Sequence, residues 1–312
     1  MQIFHPNSHY DFVGKNRIAV ILSLVIILGG LLSLAIKGGP ALGVDFAGGT
    51  LVEVRFAAPT QAGDIRDALG NLPLGSFTVQ QFGDDPNDFL IRIPQSPSDQ
   101  QEFSGSLAGA LQSRYGEGQL DIRRMEMVGP QVGQELMEKG FLALLYAMVG
   151  TLVYIGWRFE FRYAVAAIVA LGHDVLVTLG FFSLFDKEFD LTIIAAFLTI
   201  IGYSLNDTIV IFDRLRENLG KQREESFAQT LNRSINETLS RTILTSGTTL
   251  LVVFSLFAFG GPVIHNFAFA LLVGVIAGTY STIFVAGALA LAWDRWRLKR
   301  QAAHLIPSTS GS

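Results

Sequence analysis

Six long stretches of apolar residues, separated by short polar segments, dominate the pattern of hydrophobic and polar positions along this chain. Each is long enough, at about 17 residues or more, for a helix to cross the hydrocarbon core of a bilayer. The stretches cover residues 18–36, 140–157, 163–185, 191–212, 241–259 and 266–293. The pattern therefore predicts an α-helical polytopic membrane protein built as a six-helix bundle.

The first stretch has two interpretations. Lys15 and Arg17 precede it, as basic residues precede a signal peptide. Its apolar core is longer than the roughly 7 to 15 residues of a signal peptide, and no clean small-x-small cleavage site follows. Because five further stretches follow, we interpret residues 18–36 as a membrane anchor.

Composition supports the membrane assignment and narrows the chemistry. The chain is 50% hydrophobic and only 16% charged, with a mean hydropathy of +0.40, values that are unusual for a soluble protein. A net charge of -4 without a basic block argues against nucleic acid as a partner. The chain has no cysteine, which excludes disulfide bonds, a thiol nucleophile and cysteine-ligated metals.

Basic residues indicate the orientation in the membrane. The short loops at 186–190 and 260–266 contain only one, Lys187, whereas the other connections and the termini are rich in them. The basic residues on that other side are Lys15, Arg17, Arg158, Arg162, Arg214, Arg216, Lys221, Arg223, Arg233, Arg295, Arg297, Lys299 and Arg300. The positive-inside rule then places three segments in the cytoplasm: residues 1–17, 213–240 and 294–312.

The long polar segment at residues 37–139 is extracytoplasmic by the same rule, and it is large enough to be a small domain. Period-two and helical patterns alternate within it in the order β-α-β-β-α-β, which is typical of a ferredoxin-like fold. The two predicted helices begin at cap-like residues, Thr60 and Ser98. The segment contains no histidine, so binding or scaffolding is a better interpretation than catalysis.

Two aspartates lie inside predicted membrane helices, Asp174 and Asp207. A charge at the centre of a membrane helix costs roughly 2.5–3.5 kcal/mol on insertion scales. Both side chains must therefore face the helix bundle or water rather than lipid. Such a carboxylate is either a hydrogen-bonding group between helices or a proton carrier, because a proton can switch its charge.

Arg241 is the candidate partner of Asp207, but it has a second interpretation as an anchor at the membrane surface. The segment "SINE" at residues 234–237 has the form of a capping box, which would start a helix there and place Arg241 about two turns inside it. Polar residues on the two helices suggest faces that meet inside the bundle. They are Ser204 and Asn206 on one stretch and Thr245, Thr248 and Thr249 on the other.

Glycines indicate where helices pack closely. Gly274 and Gly278 have the small-xxx-small spacing that lets two backbones approach. We assign Gly202, on the fourth stretch, to helix packing as well.

Several motifs, taken together and in order, carry a resemblance to a known family. They are "DFVGKNR" at 11–17, "GVDFAGGT" at 43–50, "GYSLNDTIVIFDRLREN" at 202–218, "SINETLSRTILTS" at 234–246 and "GTYSTIF" at 278–284. With this arrangement the whole chain resembles the SecF family, the smaller membrane subunit of the bacterial SecD–SecF complex, which is related to the resistance-nodulation-division exporters.

The resemblance implies a function and a set of roles. SecD would be the partner, and together the two subunits would assist late stages of protein export through the SecY, SecE and SecG channel of the bacterial cytoplasmic membrane. Proton entry would drive the process, so no cofactor other than the proton and no metal is expected. The family's intramembrane carboxylate falls on Asp207 and its basic partner on Arg241. Asp174 also matches a family position, with a less defined role.

The motif "DFAGG" has its own implication. Asp45, Phe46, Gly48 and Gly49 would shape the approach to the extracytoplasmic domain, with the glycines forming a turn or bulge before the strand that starts at residue 50.

Other function classes remain as alternatives. A half-size proton-driven exporter of the related superfamily would need larger extracytoplasmic insertions than residues 37–139 provide. An enzyme is disfavoured because no nucleophile elbow is present, and adjacent residues such as His173 and Asp174 should point to different faces of a helix. Exported polypeptides and membrane lipid, rather than nucleic acid, are the expected contacts.

Overall fold

The computed structural model describes residues 9–83, 85–94, 100–221 and 224–305. In chain order its elements are α1 (Asn16–Lys37), α2 (Val44–Ala47), β1 (Gly49–Phe56), α3 (Ala62–Leu69), β2 (Thr78–Gln81), β3 (Asp88–Ile93), α4 (Gln100–Tyr115), β4 (Leu120–Val128), α5 (Pro130–Arg158), α6 (Phe161–Leu184), α7 (Leu191–Gly220), α8 (Phe227–Phe259), α9 (Pro262–Ser281), a π-helical turn (Thr282–Ala286) and α10 (Gly287–Leu305). Within the described ranges, six helical segments are long and apolar enough to cross a membrane, as predicted. The last of them runs through the π-helical turn from Val263 to Gln301.

The segment between α1 and α5 folds as a small α+β domain. Its four strands form an antiparallel sheet in the order β2–β3–β1–β4. The helices α3 and α4 cover one face of this sheet. The core between the two layers includes Val52, Val54, Ile65, Leu69, Ile91, Leu107 and Leu111. Successive side chains of a strand point to opposite faces, so the alternating pattern of β1 places its valines in this core. The predicted β-α-β-β-α-β order is confirmed.

The start of the first domain helix differs from the prediction. Helix α3 begins at Ala62, and Gln61, the residue before it, makes no capping bond with its side chain. The Thr60 hydroxyl instead donates to the Ala58 carbonyl at 3.0 Å, so Thr60 is not a helix cap. Ser98, the predicted start of the second domain helix, lies outside the described residues.

The helices α7 and α8 extend well beyond their apolar stretches and occupy most of residues 213–240, which were predicted as a loop. Hydropathy detects only the apolar part of a helix, so polar turns that continue it are missed. The capping box at the start of α8 is formed by Ser226 and Gln229, not by residues 234–237. Ser234 is buried inside α8, where its hydroxyl donates to the Thr230 carbonyl at 2.8 Å.

Helices α6, α7 and α9 form the interior of the bundle, while α1, α5 and α8 expose most of their apolar side chains. Helix α1 meets α6 at two glycines. A Cβ atom added at Gly30 would lie 2.6 Å from the Cα atom of Gly180, so the two backbones touch. One turn away, the Ser33 and Ser183 hydroxyls are 2.7 Å apart. Small residues thus set how closely α1 docks.

Candidate functional site

Asp207 lies on the inner side of α7, where it is 3% exposed. In the described part of the chain, one hydrogen bond reaches its carboxylate. The Ser246 hydroxyl of α8 donates to Oδ2 across a long 3.5 Å. Ser246 in turn lies 2.8 Å from the Thr279 hydroxyl of α9. Asp207 therefore sits where three helices meet, with a single weak donor.

Arg241 does not form the predicted ion pair with Asp207 in this structure. It lies on the exposed side of α8, and among the described residues no carboxylate comes within 4.0 Å of its guanidinium. Its positive charge still interacts with Asp207 at longer range. Asp207 and Arg241 are therefore close enough to interact electrostatically, but they do not form an ion pair.

The polar residues that were predicted to surround this pair do not form one interior face. Ser204 is buried, whereas the others are exposed or half-buried, namely Gly202, Asn206, Thr245, Thr248 and Thr249. The Thr245 and Thr248 hydroxyls donate to carbonyls of their own helix. Among the described residues, these exposed polar side chains of α7 and α8 therefore make no hydrogen bond to another helix.

Ser246, the residue that α8 does turn towards Asp207, was missed from the sequence. It follows Arg241 by five residues, which is a rotation of about 140° around a helix of 3.6 residues per turn. With Arg241 on the exposed side of α8, this rotation places Ser246 on the side that faces the bundle. A helical-wheel count from an exposed Arg241 was the signal that could have found it.

Asp174 is fully buried at the contact of α6, α7 and α9. The hydroxyls of Ser204 and Ser281 donate to its Oδ2 atom at 2.7 Å and 2.9 Å. Its Oδ1 atom lies 3.0 Å from Nδ1 of His173. Adjacent His173 and Asp174 face different helices, as predicted, with His173 directed to Ser23 of α1 and Asp174 to Ser204 of α7, yet their side chains still meet through Nδ1 and Oδ1. Both oxygens of the buried Asp174 carboxyl group therefore have hydrogen-bonding partners.

The hydrogen-bonded cluster continues from His173 to α1. The Nε2 atom of His173 lies 3.1 Å from the Ser23 hydroxyl, which donates to the Tyr280 hydroxyl at 3.1 Å. The Tyr280 hydroxyl donates to the Ala19 carbonyl at 2.5 Å. Asp174 is thereby connected through side chains to the first membrane helix.

Close packing of α7 and α9 sets the position of Ser204. A Cβ atom added at Gly278 would lie 2.9 Å from the Cβ atom of Ser204, and one at Gly274 would lie 2.2 Å from Cδ1 of Ile200. A larger residue at either position would push the helices apart. A Cβ atom at Gly202 would meet nothing within 4 Å, so that glycine packs against no other part of the described chain.

The "DFAGG" motif lies where the α+β domain meets the membrane helices. Asp45 accepts a hydrogen bond from the backbone N–H of Leu191, the first residue of α7, at 2.9 Å. It adds to the N-cap Asp190, whose side chain accepts from the Ile193 N–H. Phe46 packs on Phe189, with ring centroids 5.8 Å apart. Gly48 and Gly49 have φ values of 73° and 115°, which residues with a Cβ atom rarely adopt.

Backbone hydrogen bonds tie the same region to the loop before α7. The Phe189 N–H donates to the Ala41 carbonyl at 2.7 Å, and the Gly43 N–H donates to the Phe189 carbonyl at 2.9 Å. An ion pair between Arg92 of β3 and Glu188 adds a contact from the sheet. The domain is therefore joined to the helix that carries Asp207 by main-chain contacts.

Two family models of known proteins match this chain. The model for "Protein export membrane protein SecD/SecF, C-terminal" matches residues 109–296. The model for the "SecD/SecF GG Motif" matches residues 33–60, which include the "DFAGG" motif. Together they cover most of the membrane helices and the lead into the α+β domain.

Individual relatives agree with these matches. The chain is 48% identical to the protein translocase subunit SecF of Magnetococcus marinus, over 99% of this chain and 100% of that protein. It is 45% identical to SecF of Vibrio alginolyticus, over 98% of this chain and 95% of that protein. The crystal structure of SecDF from Thermus thermophilus superposes with a TM-score of 0.82 at 34% identity, covering 94% of this chain and 40% of that one. The chain thus spans less than half of SecDF, and it belongs to the SecF family of protein-export membrane proteins.

Proposed function

We propose that this chain is a subunit of the Sec protein translocase that, with SecD, uses proton flow to promote late stages of protein export across the bacterial cytoplasmic membrane. Membership of the SecF family supports the role in export. The match to 40% of the SecDF chain supports a separate SecD subunit that supplies the remainder. The SecY, SecE and SecG channel subunits and exported polypeptides complete the proposed set of partners.

The exposed polar positions on α7 and α8 support a partner within the membrane. Asn206 and Arg241 are exposed in segments that are apolar enough to span a bilayer. Lipid tails cannot hydrogen-bond an amide or a guanidinium, so such groups normally face protein or water. A SecD helix that carries an acid would cover this face and compensate Arg241.

Asp207 is the proposed proton carrier, and the observation that carries the proposal is its burial near an Arg241 that forms no ion pair with any described residue. A carboxylate at this position attracts the guanidinium, whereas a protonated carboxyl group releases it. Under this proposal, a separation such as that in the structure is expected of the released state. Each proton that crosses the membrane supplies about 2.3 kcal/mol per 100 mV, enough to change which of two helix packings is preferred.

The α+β domain is the proposed moving part. Helix α7 carries Asp207 near its middle, and the first N–H of α7, that of Leu191, donates to Asp45. Movement of α7 on protonation would therefore be passed to the segment that leads into the domain. Asp174 is a second candidate for the relay.

The test is export of a secreted reporter in cells whose only copy of this chain is Asp207→Asn or Arg241→Met. Both variants are expected to accumulate with SecD like the parent and to lose export that depends on the proton gradient. The matched control is Asp213→Asn, which changes an exposed carboxylate six residues further along α7 and is expected to export normally.

Two results would contradict the proposal. Normal gradient-dependent export by Asp207→Asn would remove Asp207 from the proton path. Normal export by both variants, with loss of resistance to small toxic molecules instead, would point to the exporter alternative.

A further inference from the structure

The hydrogen-bond chain that ends at Ala19 determines which groups in the cluster are donors. The Ala19 carbonyl can only accept, so the Tyr280 hydroxyl, 2.5 Å away, must donate its one proton there. The Tyr280 oxygen can then only accept from Ser23, which lies 3.1 Å from it. The Ser23 proton is therefore committed to Tyr280.

His173 comes next in the chain, and its protonation follows from the same counting. Because Ser23 has no second proton, its oxygen can only accept from His173, and Nε2 of the imidazole, 3.1 Å away, must carry a proton. On the other side of the ring, Nδ1 lies 3.0 Å from Oδ1 of Asp174. Two bare acceptors at that distance would repel each other, so one of them carries another proton.

Two arrangements satisfy these contacts. Either a neutral imidazole accepts from a protonated Asp174, or an imidazolium donates to an ionised Asp174. Both contain the same number of protons and have no net charge. Oδ2 of Asp174 accepts from Ser204 and Ser281, so Oδ1 is the oxygen that shares the proton.

Among the described residues, no other charged group pairs with Asp174 in place of this proton. At this level α1 presents Ser23, α7 presents Ser204, and α9 presents Tyr280 and Ser281. In the described ranges, the only ion-pair partner of Asp174 within 4.0 Å is His173. Asp207, the nearest acid along α7, hydrogen-bonds to Ser246 of α8 instead.

We propose that His173 and Asp174 form a proton-binding site of their own, which holds one exchangeable proton between Nδ1 and Oδ1. The ligand is the proton, and the site is distinct from Asp207. Through Ser23 and Tyr280 the bound proton fixes how α1 docks on α6 and α9. This inference deepens the proposed relay by giving Asp174 a partner, but its test does not require export activity.

The test is nitrogen NMR of the full-length chain, labelled on histidine and held in lipid nanodiscs. Imidazole nitrogen shifts distinguish a bare from a protonated nitrogen. The chain has five histidines, and a His173→Gln sample identifies the signals of His173. The expected result is a protonated Nε2, with Nδ1 either protonated or accepting a hydrogen bond.

Two variants sharpen the measurement. In Asp174→Asn the amide N–H can donate to Nδ1, so this variant supplies the reference spectrum of a neutral imidazole protonated on Nε2. In Tyr280→Phe the ring is kept but Ser23 is free to donate to His173, so the His173 signals are expected to differ from the parent.

Each possible spectrum either supports or overturns the proposal. A parent spectrum with a protonated Nε2, and with Nδ1 either protonated or accepting a hydrogen bond, supports the shared proton, whichever of the two groups holds it. A protonated Nε2 with an Nδ1 that accepts no hydrogen bond would overturn the proposal. A bare Nε2 with a protonated Nδ1 would overturn it as well, because the pair would then hold one proton fewer and carry a net negative charge. An unchanged His173 spectrum in Tyr280→Phe would overturn it as well, since the hydrogen-bond chain would not control the ring. Loss of export in Asp207→Asn affects none of these readings.

Discussion

The contact between α1 and α6 yields a quantitative prediction for two adjacent glycines. A Cβ atom at Gly30 would lie 2.6 Å from the Cα atom of Gly180, whereas one at Gly29 would meet nothing within 4 Å. The neighbour of Gly30 is backbone and cannot rotate away. In Gly30→Ala the two helices must therefore separate until the contact reaches the roughly 3.4 Å of ordinary packing.

The expected magnitude follows from two opposing effects. Replacing glycine by alanine inside a helix stabilises it by roughly 0.5–1 kcal/mol, and both substitutions share this gain. Overpacking a close contact costs typically about 1–3 kcal/mol, and only Gly30→Ala has this cost. Gly30→Ala is thus expected to be about 1–3 kcal/mol less stable than Gly29→Ala.

A disulfide bond between α1 and α6 provides the assay. The Ser33 and Ser183 hydroxyls are 2.7 Å apart, and the chain has no cysteine of its own. Ser33→Cys with Ser183→Cys should therefore cross-link cleanly under mild oxidation in the parent and in Gly29→Ala, and less completely in Gly30→Ala. Thermal unfolding in detergent measures the stability difference. Equal cross-linking and equal unfolding of the two alanine variants would refute the reasoning.

Two further predictions concern carboxylates of the α+β domain and its approach. Two hydrogen bonds from the Arg55 guanidinium lower the pKa of the buried Asp88, so its stabilising effect is complete above the unfolded pKa of about 3.9 and disappears as pH falls through the lower folded value. Asp88→Asn should accordingly weaken the acid dependence of unfolding below about pH 4, followed by circular dichroism, and a variant with the parent's acid dependence would contradict this. Asp45→Ala removes the hydrogen bond to the Leu191 N–H and leaves the Asp190 cap in place, so it should destabilise the chain by about 0.5–1.5 kcal/mol in thermal unfolding, while an unchanged midpoint would contradict a stabilising role of this bond.

The membrane helices and the domain fold were predictable because each depends on a local rule. Bilayer thickness sets the length of an apolar helix, and residues 191–212 met that rule without any tertiary information. The alternation along β1 likewise identified a half-buried strand. These patterns are properties of short windows of sequence.

The partners of the buried aspartates were not predictable in the same way. His173 contacts Asp174 although the two residues face different helices, because such a contact depends on side-chain rotamers, about which helix periodicity says nothing. Ser23 joins the cluster only because α1 docks against α6, a contact between residues far apart in sequence. The depth of Arg241 was predicted from an assumed helix start at Ser234. The N-cap of α8 is Ser226, eight residues earlier, so Arg241 lies about four turns into the helix rather than two.

The main-chain contacts between the loop before α7 and the segment before the α+β domain determine how stiffly α7 is connected to that domain. The two hydrogen bonds between Phe189 and residues 41 and 43 are 2.7 Å and 2.9 Å long, and such bonds weaken steeply beyond about 3.2 Å. An ion pair between long side chains can persist through a small shift because the side chains can change rotamer. A hydrogen bond between two backbone groups tolerates almost no such shift. If the start of α7 moves by more than about 0.5 Å, it must either move the segment before the domain with it or break these two hydrogen bonds. The region is therefore a rigid connection rather than an elastic one.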